Sequence, residues 1–76
     1  MYRYLYVEEI VRTEEQKPVT TCGIRIIKCD GAKDKEICYI RDVFTNIELG
    51  KQFAKICTRE QLDPVHIFDA IENFLP

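Results

Sequence analysis

The sequence predicts a single α+β domain, in which a three-stranded antiparallel meander is packed on one face by a C-terminal helical hairpin (β-β-β-α-α). Two patterns and the loop composition lead to this prediction. Apolar and polar residues alternate up to about residue 44, as in strands, and beyond it apolar residues recur at spacings of three and four, as in helices. The connections between the strand segments are short and polar, which favours hairpins. All 76 residues are assigned to this one domain.

Three segments alternate in the way of strands that have one covered face. They run from Tyr2 to Val11 or Arg12, from Val19 to Cys29, and from Glu36 to Phe44. Pro18 suits the start of a strand, and Asp30-Gly31 opens a turn whose polar loop extends to Lys35. The pair Glu8-Glu9 could conceal a bulge, which would exchange the two faces of the first strand beyond it.

The alternation also assigns residues to the two faces of the sheet. The face that we expect the helices to cover carries Leu5, Val7, Cys22, Ile24, Ile26, Cys38, Ile40 and Phe44. The opposite face is predicted to display Tyr4, Tyr6, Arg25, Ile27, Tyr39 and Arg41. Gly23 falls on that opposite face, and we expect an aromatic ring of the neighbouring strand to lie across it.

The first helix is predicted to begin with a capping box, Thr45-Asn46-Ile47-Glu48, in which the Thr45 hydroxyl accepts a hydrogen bond from the Glu48 N–H. The helix should end near Arg59 or Glu60. Its apolar stripe consists of Leu49, Phe53, Ile56 and Cys57.

The second helix has signals at both ends. Asp63 is a favourable N-cap, Pro64 suits the first helical position, and Pro76 stands where a helix cannot easily continue. We expect Phe68, Ile71 and Leu75 to form its buried stripe. The link between the two helices is only about four residues long, which favours an αα-hairpin.

Charge and hydropathy exclude some classes of function. The net charge is −2 and residues 60–76 contain no Lys or Arg, so the sequence shows no basic stripe of the kind that nucleic-acid binders carry. No apolar run reaches the ~18 residues of a membrane-spanning helix, and the first six residues do not resemble a signal peptide. We therefore expect a cytoplasmic protein without a membrane role.

The sequence lacks the nucleophile and glycine motifs that are typical of enzymes. The chain contains no serine and no glycine-rich phosphate loop. Its four cysteines, which form no Cys-x-x-Cys pair, are expected to be reduced core residues. A Cys–His pair is possible in principle, and Cys57 is the cysteine closest to His66 in sequence, but Cys57 lies on an apolar stripe, which predicts an inert buried thiol. We assign no catalytic residue and no cofactor.

His66 is the only histidine, and it stands between Asp63 and Asp69 in the second helix. Three such side chains on one helical face could hold a divalent ion. The spacing matches no known metal motif, and metal sites usually draw ligands from more than one element. A solvated polar face is favoured over a metal site, so metal binding by this helix is kept as an alternative only.

The uncovered sheet face is the leading candidate site. Because no further element remains to cover it, its Tyr, Arg and Ile side chains predict a contact surface for a second copy or for another protein. Stacking of single-stranded nucleic acid on the tyrosines is the alternative. The acidic pI of about 5.3 makes that alternative the weaker one.

Three segments of the chain follow a pattern of residues at Gly23, Ile24, Ile40, Asp42, Leu62, Pro64, His66, Ile67, Asp69, Ile71, Glu72, Phe74 and Leu75. In this pattern the chain resembles a domain-of-unknown-function family of small proteins from Firmicutes. The chain departs from the family pattern with Thr21-Cys22 in place of an aromatic residue and with Asn73 in place of an acid. The resemblance implies a bacterial cytosolic protein and no established activity.

Overall fold

The computed structural model describes residues 1–12, 14–15 and 17–74. It confirms the predicted α+β arrangement of three antiparallel strands, in the order β1-β2-β3, followed by helices. The elements are β1 Tyr2–Arg12, β2 Pro18–Asp30, β3 Lys33–Phe44, α1 Ile47–Glu60, a 3₁₀ turn Pro64–His66 and α2 Ile67–Phe74. Within these ranges, neither helix combines the length and apolar content that crossing a membrane would require.

The β2–β3 hairpin is longer than predicted. The turn is confined to Gly31 and Ala32, and Lys33 already pairs with Asp30. Gly31 has a φ of 62°, in the left-handed region that glycine adopts without a steric penalty. The polar residues that predict a loop up to Lys35 therefore belong to strands whose two sides are exposed.

The prediction of the faces of β1 is wrong. Tyr4 pairs with Ile26 and Tyr6 with Ile24, and directly opposed residues share a face, so both tyrosines lie on the helix side, called the inner face below. Tyr4 is 3% exposed, whereas Leu5 is 36% exposed. Leu5 and Val7 instead lie on the opposite side, called the outer face. The register is continuous from Tyr2 to Arg12, so the suspected bulge at residues 8 and 9 is absent.

The physical reason lies in the polar tip of Tyr4. Both sets of alternate residues in β1 contain apolar side chains, so the alternation alone does not choose between them. The Tyr4 hydroxyl donates a 2.6 Å hydrogen bond to the backbone carbonyl of Leu62, which follows α1. A buried tyrosine needs such a partner, and only the inner face supplies one.

Helix α1 packs on the sheet through small residues. Its buried positions are Gly50, Phe53, Ala54 and Cys57, whereas Ile56 of the predicted stripe is 38% exposed. Gly50 lies directly over the fully buried Cys22 of β2, and a Cβ at position 50 would overlap the Cys22 sulfur. The helix axis can therefore lie closer to the sheet than a larger side chain would allow.

The N-cap of α1 is Asn46, so the prediction of a capping box at Thr45 is wrong. The Asn46 carboxamide oxygen accepts from the backbone N–H groups of Glu48, at 2.9 Å, and Leu49, at 3.4 Å. Either residue type caps helices well, and the choice depends on where the chain leaves β3.

The second helical segment confirms Asp63 as a cap but changes the buried stripe. The Asp63 carboxylate accepts from the Val65 N–H at 3.1 Å, and a 3₁₀ turn precedes α2. The tighter turn changes the rotation of the following residues, so Ile67 is buried and Phe68 is 65% exposed, contrary to the prediction. The Phe74 ring packs against the rings of Phe44 and Phe53, at 5.9 and 5.3 Å. The predicted roles of residues 75 and 76 fall outside the described residues.

Replacing Gly50 tests the close approach of α1. Alanine is the better helix former by about 1 kcal/mol, but overpacking a core costs about 1–3 kcal/mol. We expect Gly50→Ala to lower the free energy of unfolding by urea, and to do so less in a Cys22→Ala background, where the sulfur is gone. Gln52→Ala on the exposed side of α1 is the matched control. An equal effect in both backgrounds would contradict the contact.

Candidate interaction surface

The end of α1 closes the first half of the free edge of β1. The Tyr2 N–H donates to Gln61 Oε1 at 2.8 Å, and Gln61 Nε2 donates to the Tyr2 carbonyl at 2.9 Å. Next along the strand, the Tyr4 N–H donates to Thr58 Oγ1 at 2.9 Å, and that hydroxyl is 3.2 Å from the Tyr4 carbonyl. Thr58 of α1 and the C-cap residue Gln61 thus occupy the backbone groups that another strand would need.

The outer face carries an apolar patch. Leu5 and Val7 of β1 and Tyr39 of β3 are partly exposed there, and the Tyr39 ring lies at Gly23, the strand partner of Val7. Both helices lie on the inner face, so no element among the described residues covers this side of the sheet. Ile27, which is only 7% exposed, lies farther along β2, where Arg3 and Glu36 are its partners in the neighbouring strands. An uncovered sheet face of this kind is a shallow surface rather than a pocket.

Gly23 allows a polar network to cross the outer face. Tyr39 of β3 donates its hydroxyl to Glu9 Oε1 of β1 at 2.7 Å, and Arg41 donates to Glu9 Oε2 at 2.9 and 3.1 Å. A Cβ on Gly23 would lie 3.0 Å from both the Tyr39 ring and the Glu9 carboxylate, and 2.9 Å from the Ile40 carbonyl. The expectation that an aromatic ring lies across this glycine is confirmed.

The network perturbs the acidity of its members. The hydrogen bond from Tyr39 lowers the pKa of Glu9, with Arg41 acting in the same direction against the opposing effect of desolvation. The same hydrogen bond to Glu9 raises the pKa of Tyr39. Glu9 is therefore held as a carboxylate and Tyr39 as a phenol, which fixes the direction of their hydrogen bond.

The three arginines of the outer face are each paired with a carboxylate. Arg25 Nε lies 2.5 Å from Glu36, Arg3 lies 3.4 Å from Asp34, and Arg41 contacts Glu9. Such exposed pairs add little stability, but they cancel the local charge. The outer face therefore combines an apolar patch with charges that are balanced within the chain.

The structure brings together only part of the predicted site. Arg25, Ile27, Tyr39 and Arg41 lie on the outer face, whereas Tyr4 and Tyr6 do not. Tyr4 is in the core, and Tyr6 lies beside α1 with its ring centroid 5.6 Å from the Lys51 ammonium. Leu5 and Glu9, which the sequence analysis did not select, take part in the surface instead. Leu5 and Glu9 lie on the outer face because the even-numbered residues of β1 face the helices. No residue within β1 indicates this orientation in the sequence.

The metal and thiol alternatives find no supporting geometry. Within residues 1–12, 14–15 and 17–74, no three His, Cys, Asp or Glu side chains come together as a metal site would require. The Asp63 carboxylate serves as a cap. Burial raises the pKa of Cys57 to about 11, which leaves its thiol protonated and a poor nucleophile at neutral pH.

The described cysteines are all free thiols. Cys22 and Cys57 are buried, as expected of core residues, while Cys29 and Cys38 are partly exposed. Burial is the main cause that raises the pKa of Cys22. These two thiols serve the packing between α1 and β2.

An apolar groove of about 300 Å³ separates α1 from α2. Its lining includes Phe53, Ile56, Leu62, Ala70 and Phe74. Its lining is mostly apolar and offers few polar groups to orient a ligand.

No protein-family model, curated protein or solved structure matches the chain. The resemblance to the Firmicutes family therefore stays a prediction. Arguments about function rest on the surfaces described above.

Replacing Thr58 tests the closure of the β1 edge. Valine keeps the shape of threonine but removes the hydroxyl that contacts both backbone groups of Tyr4. Since leaving partly buried polar groups unpaired costs about 1–3 kcal/mol, we expect Thr58→Val to lower the free energy of unfolding by that amount. Thr45→Val, at an exposed position, should change it by less than about 0.5 kcal/mol. Equal effects of the two substitutions in urea denaturation would contradict the closure.

The raised pKa of the buried Tyr4 hydroxyl predicts that the protein loses stability at alkaline pH. Burial, followed by the charges of Cys57 and Asp63, raises the pKa of Tyr4 from 10.0 to about 12. A group whose pKa is raised on folding stabilises the protein fully below its unfolded pKa, and this contribution is lost as pH rises through the folded pKa. We expect the free energy of unfolding to fall between pH 10 and 12, and to fall less steeply in Tyr4→Phe. Parallel curves for the two proteins would contradict the assignment.

Proposed function

We propose that this protein is a small cytoplasmic binding protein that docks through its outer sheet face onto an apolar patch of another protein. The observation that carries the proposal is the apolar patch of Leu5, Val7 and Tyr39, which no described element covers. Exposed apolar patches with polar surrounds are typical of contact surfaces. No catalytic step is part of the proposal.

The charge balance specifies the kind of partner. Because each outer-face arginine already contacts a carboxylate, a strongly charged partner gains little attraction there. An apolar partner surface removes water from Leu5 and Tyr39 without separating those pairs. Tyr and Arg are both enriched where proteins meet, which favours a protein over a small ligand on so shallow a surface.

The nucleic-acid alternative loses its main support. Stacking needs several exposed aromatic rings, and unpaired cations are needed to track phosphates. The outer face retains Tyr39 alone among the tyrosines predicted for it, since Tyr4 and Tyr6 belong to the inner face. Its arginines are paired, so no observation on this surface favours nucleic acid.

Photo-crosslinking from the outer face tests the proposal. A photoreactive residue replacing Leu5 would be activated in cells of the source organism, and the same residue replacing Gln52 on α1 provides the matched control. We expect position 5, and not position 52, to crosslink to a distinct protein. That protein, once purified, should bind the unmodified chain, and Leu5→Glu should weaken the binding by about tenfold or more, because it places a charge in a desolvated apolar contact.

Three results would overturn the proposal. The first is the absence of any crosslink at position 5 above the control. The second is a purified partner whose affinity is unchanged by Leu5→Glu. The third is crosslinking only to further copies of this chain, which would assign the outer face to self-association. Far-UV circular dichroism of Leu5→Glu checks that the fold is retained, as expected for a side chain that is 36% exposed.

A further inference from the structure

The second half of the β1 edge is open. Tyr2 and Tyr4 direct their backbone groups to Gln61 and Thr58, and β-strand alternation directs those of Tyr6, Glu8, Ile10 and Arg12 to the same edge. Within the described part of the chain, no hydrogen bond occupies the edge at these four residues. They form a ladder of free donors and acceptors.

This open segment extends beyond the helices. Gly50, near the start of α1, lies over Cys22, which pairs with Glu8, so the strands beyond that pair have no helix above them. Ile10 is accordingly 73% exposed, and Val11 and Val19 are also exposed. A long edge strand with exposed apolar residues is a template for pairing with another strand.

We propose that this edge pairs with the same edge of a second copy, in an antiparallel two-fold dimer centred on Ile10. In that register, Ile10 stands opposite Ile10 of the second copy. Glu8 of each copy then stands opposite Arg12 of the other, so that two pairs of opposite charges flank the axis. Neither Glu8 nor Arg12 makes an ion pair with another described residue, so both are available.

Registers shifted toward the N-terminus of β1 are disfavoured by charge and by the closed part of the edge. A two-fold axis at Glu8 would place like charges opposite each other, and it would require Arg12 to pair at Tyr4, where Thr58 occupies the backbone. An axis at Glu9 would again oppose two carboxylates. Directly opposed like charges destabilise a strand pair, whereas opposite charges stabilise it. The register centred on Ile10 avoids both problems.

The dimer would join the two sheets into one of six strands. A two-fold axis between antiparallel edge strands is perpendicular to the sheet, so both outer faces would lie on one side and all helices on the other. The inference does not depend on the proposed function, because the edge and the outer face are different surfaces. It would place two outer faces side by side.

Charge reversal at the edge tests the register. The molar mass of the purified chain would be measured by light scattering and sedimentation across a concentration series. We expect a monomer–dimer equilibrium whose Kd rises about tenfold or more in Glu8→Arg or in Arg12→Glu, since each opposes like charges twice. The double variant Glu8→Arg/Arg12→Glu should dimerise again. An equimolar mixture of the two single variants should form heterodimers, because every opposed pair is then complementary.

The controls separate this interface from the outer face. Leu5→Glu should leave the dimer unchanged, and Ile10→Lys should weaken it. The inference is overturned if the chain is monomeric throughout the series, or if the single charge variants dimerise as well as the parent. It is also overturned if the mixture shows no heterodimer, or if Leu5→Glu alone abolishes dimerisation. Circular dichroism of each variant confirms folding, which exposed positions should not disturb.

Discussion

The structure depends on the close contact between Gly50 of α1 and Cys22 of β2. A glycine in a helix costs about 1 kcal/mol relative to alanine, so its presence needs a compensating gain. The compensating gain is that α1 can approach β2 closely, since any Cβ at position 50 would overlap the Cys22 side chain. Ala54 and Cys57 continue the same surface of small side chains, and Phe53 fills the space beside them. This surface of small side chains sets the distance of α1 from the sheet.

The position of α1 determines what the rest of the sheet can do. With its start fixed over Cys22, the helix directs its end to the edge of β1, where Thr58 and Gln61 bind the backbone of Tyr4 and Tyr2. The same end offers the Leu62 carbonyl to the Tyr4 hydroxyl, which holds that ring in the core. The position of α1 therefore determines which side chains of β1 face the core. It also closes half of the β1 edge and leaves the other half open.

The two proposed surfaces follow from this arrangement and differ in chemistry. The outer face carries an apolar patch and its arginines are paired within the chain, which is why an apolar protein surface is proposed as its partner. The open edge is narrow, and its backbone groups and the charges of Glu8 and Arg12 have no partner among the described residues, so a strand of complementary charge is proposed there. In the proposed dimer, a second copy of the chain supplies that strand.

The sequence by itself determined the class and order of the elements. The change from period two to helical spacing near residue 44, the turn at Gly31 and the cap at Asp63 are local signals, and local chemistry enforces them. Arg25, Ile27, Tyr39 and Arg41 were likewise placed on one face by alternation within single strands. The family resemblance and the function stay predictions.

Only the tertiary structure decided which face of β1 is buried, which residue caps α1, and which side of α2 packs. Each choice is between near-equivalent local options: two apolar sets in β1, Thr45 or Asn46 as a cap, and Ile67 or Phe68 in the core. The deciding interactions join residues far apart in sequence, as in the bonds of Tyr4 with Thr58 and Leu62. A one-residue change of phase alters no local propensity but moves every side chain of a strand to the other face, so only long-range contacts distinguish the two.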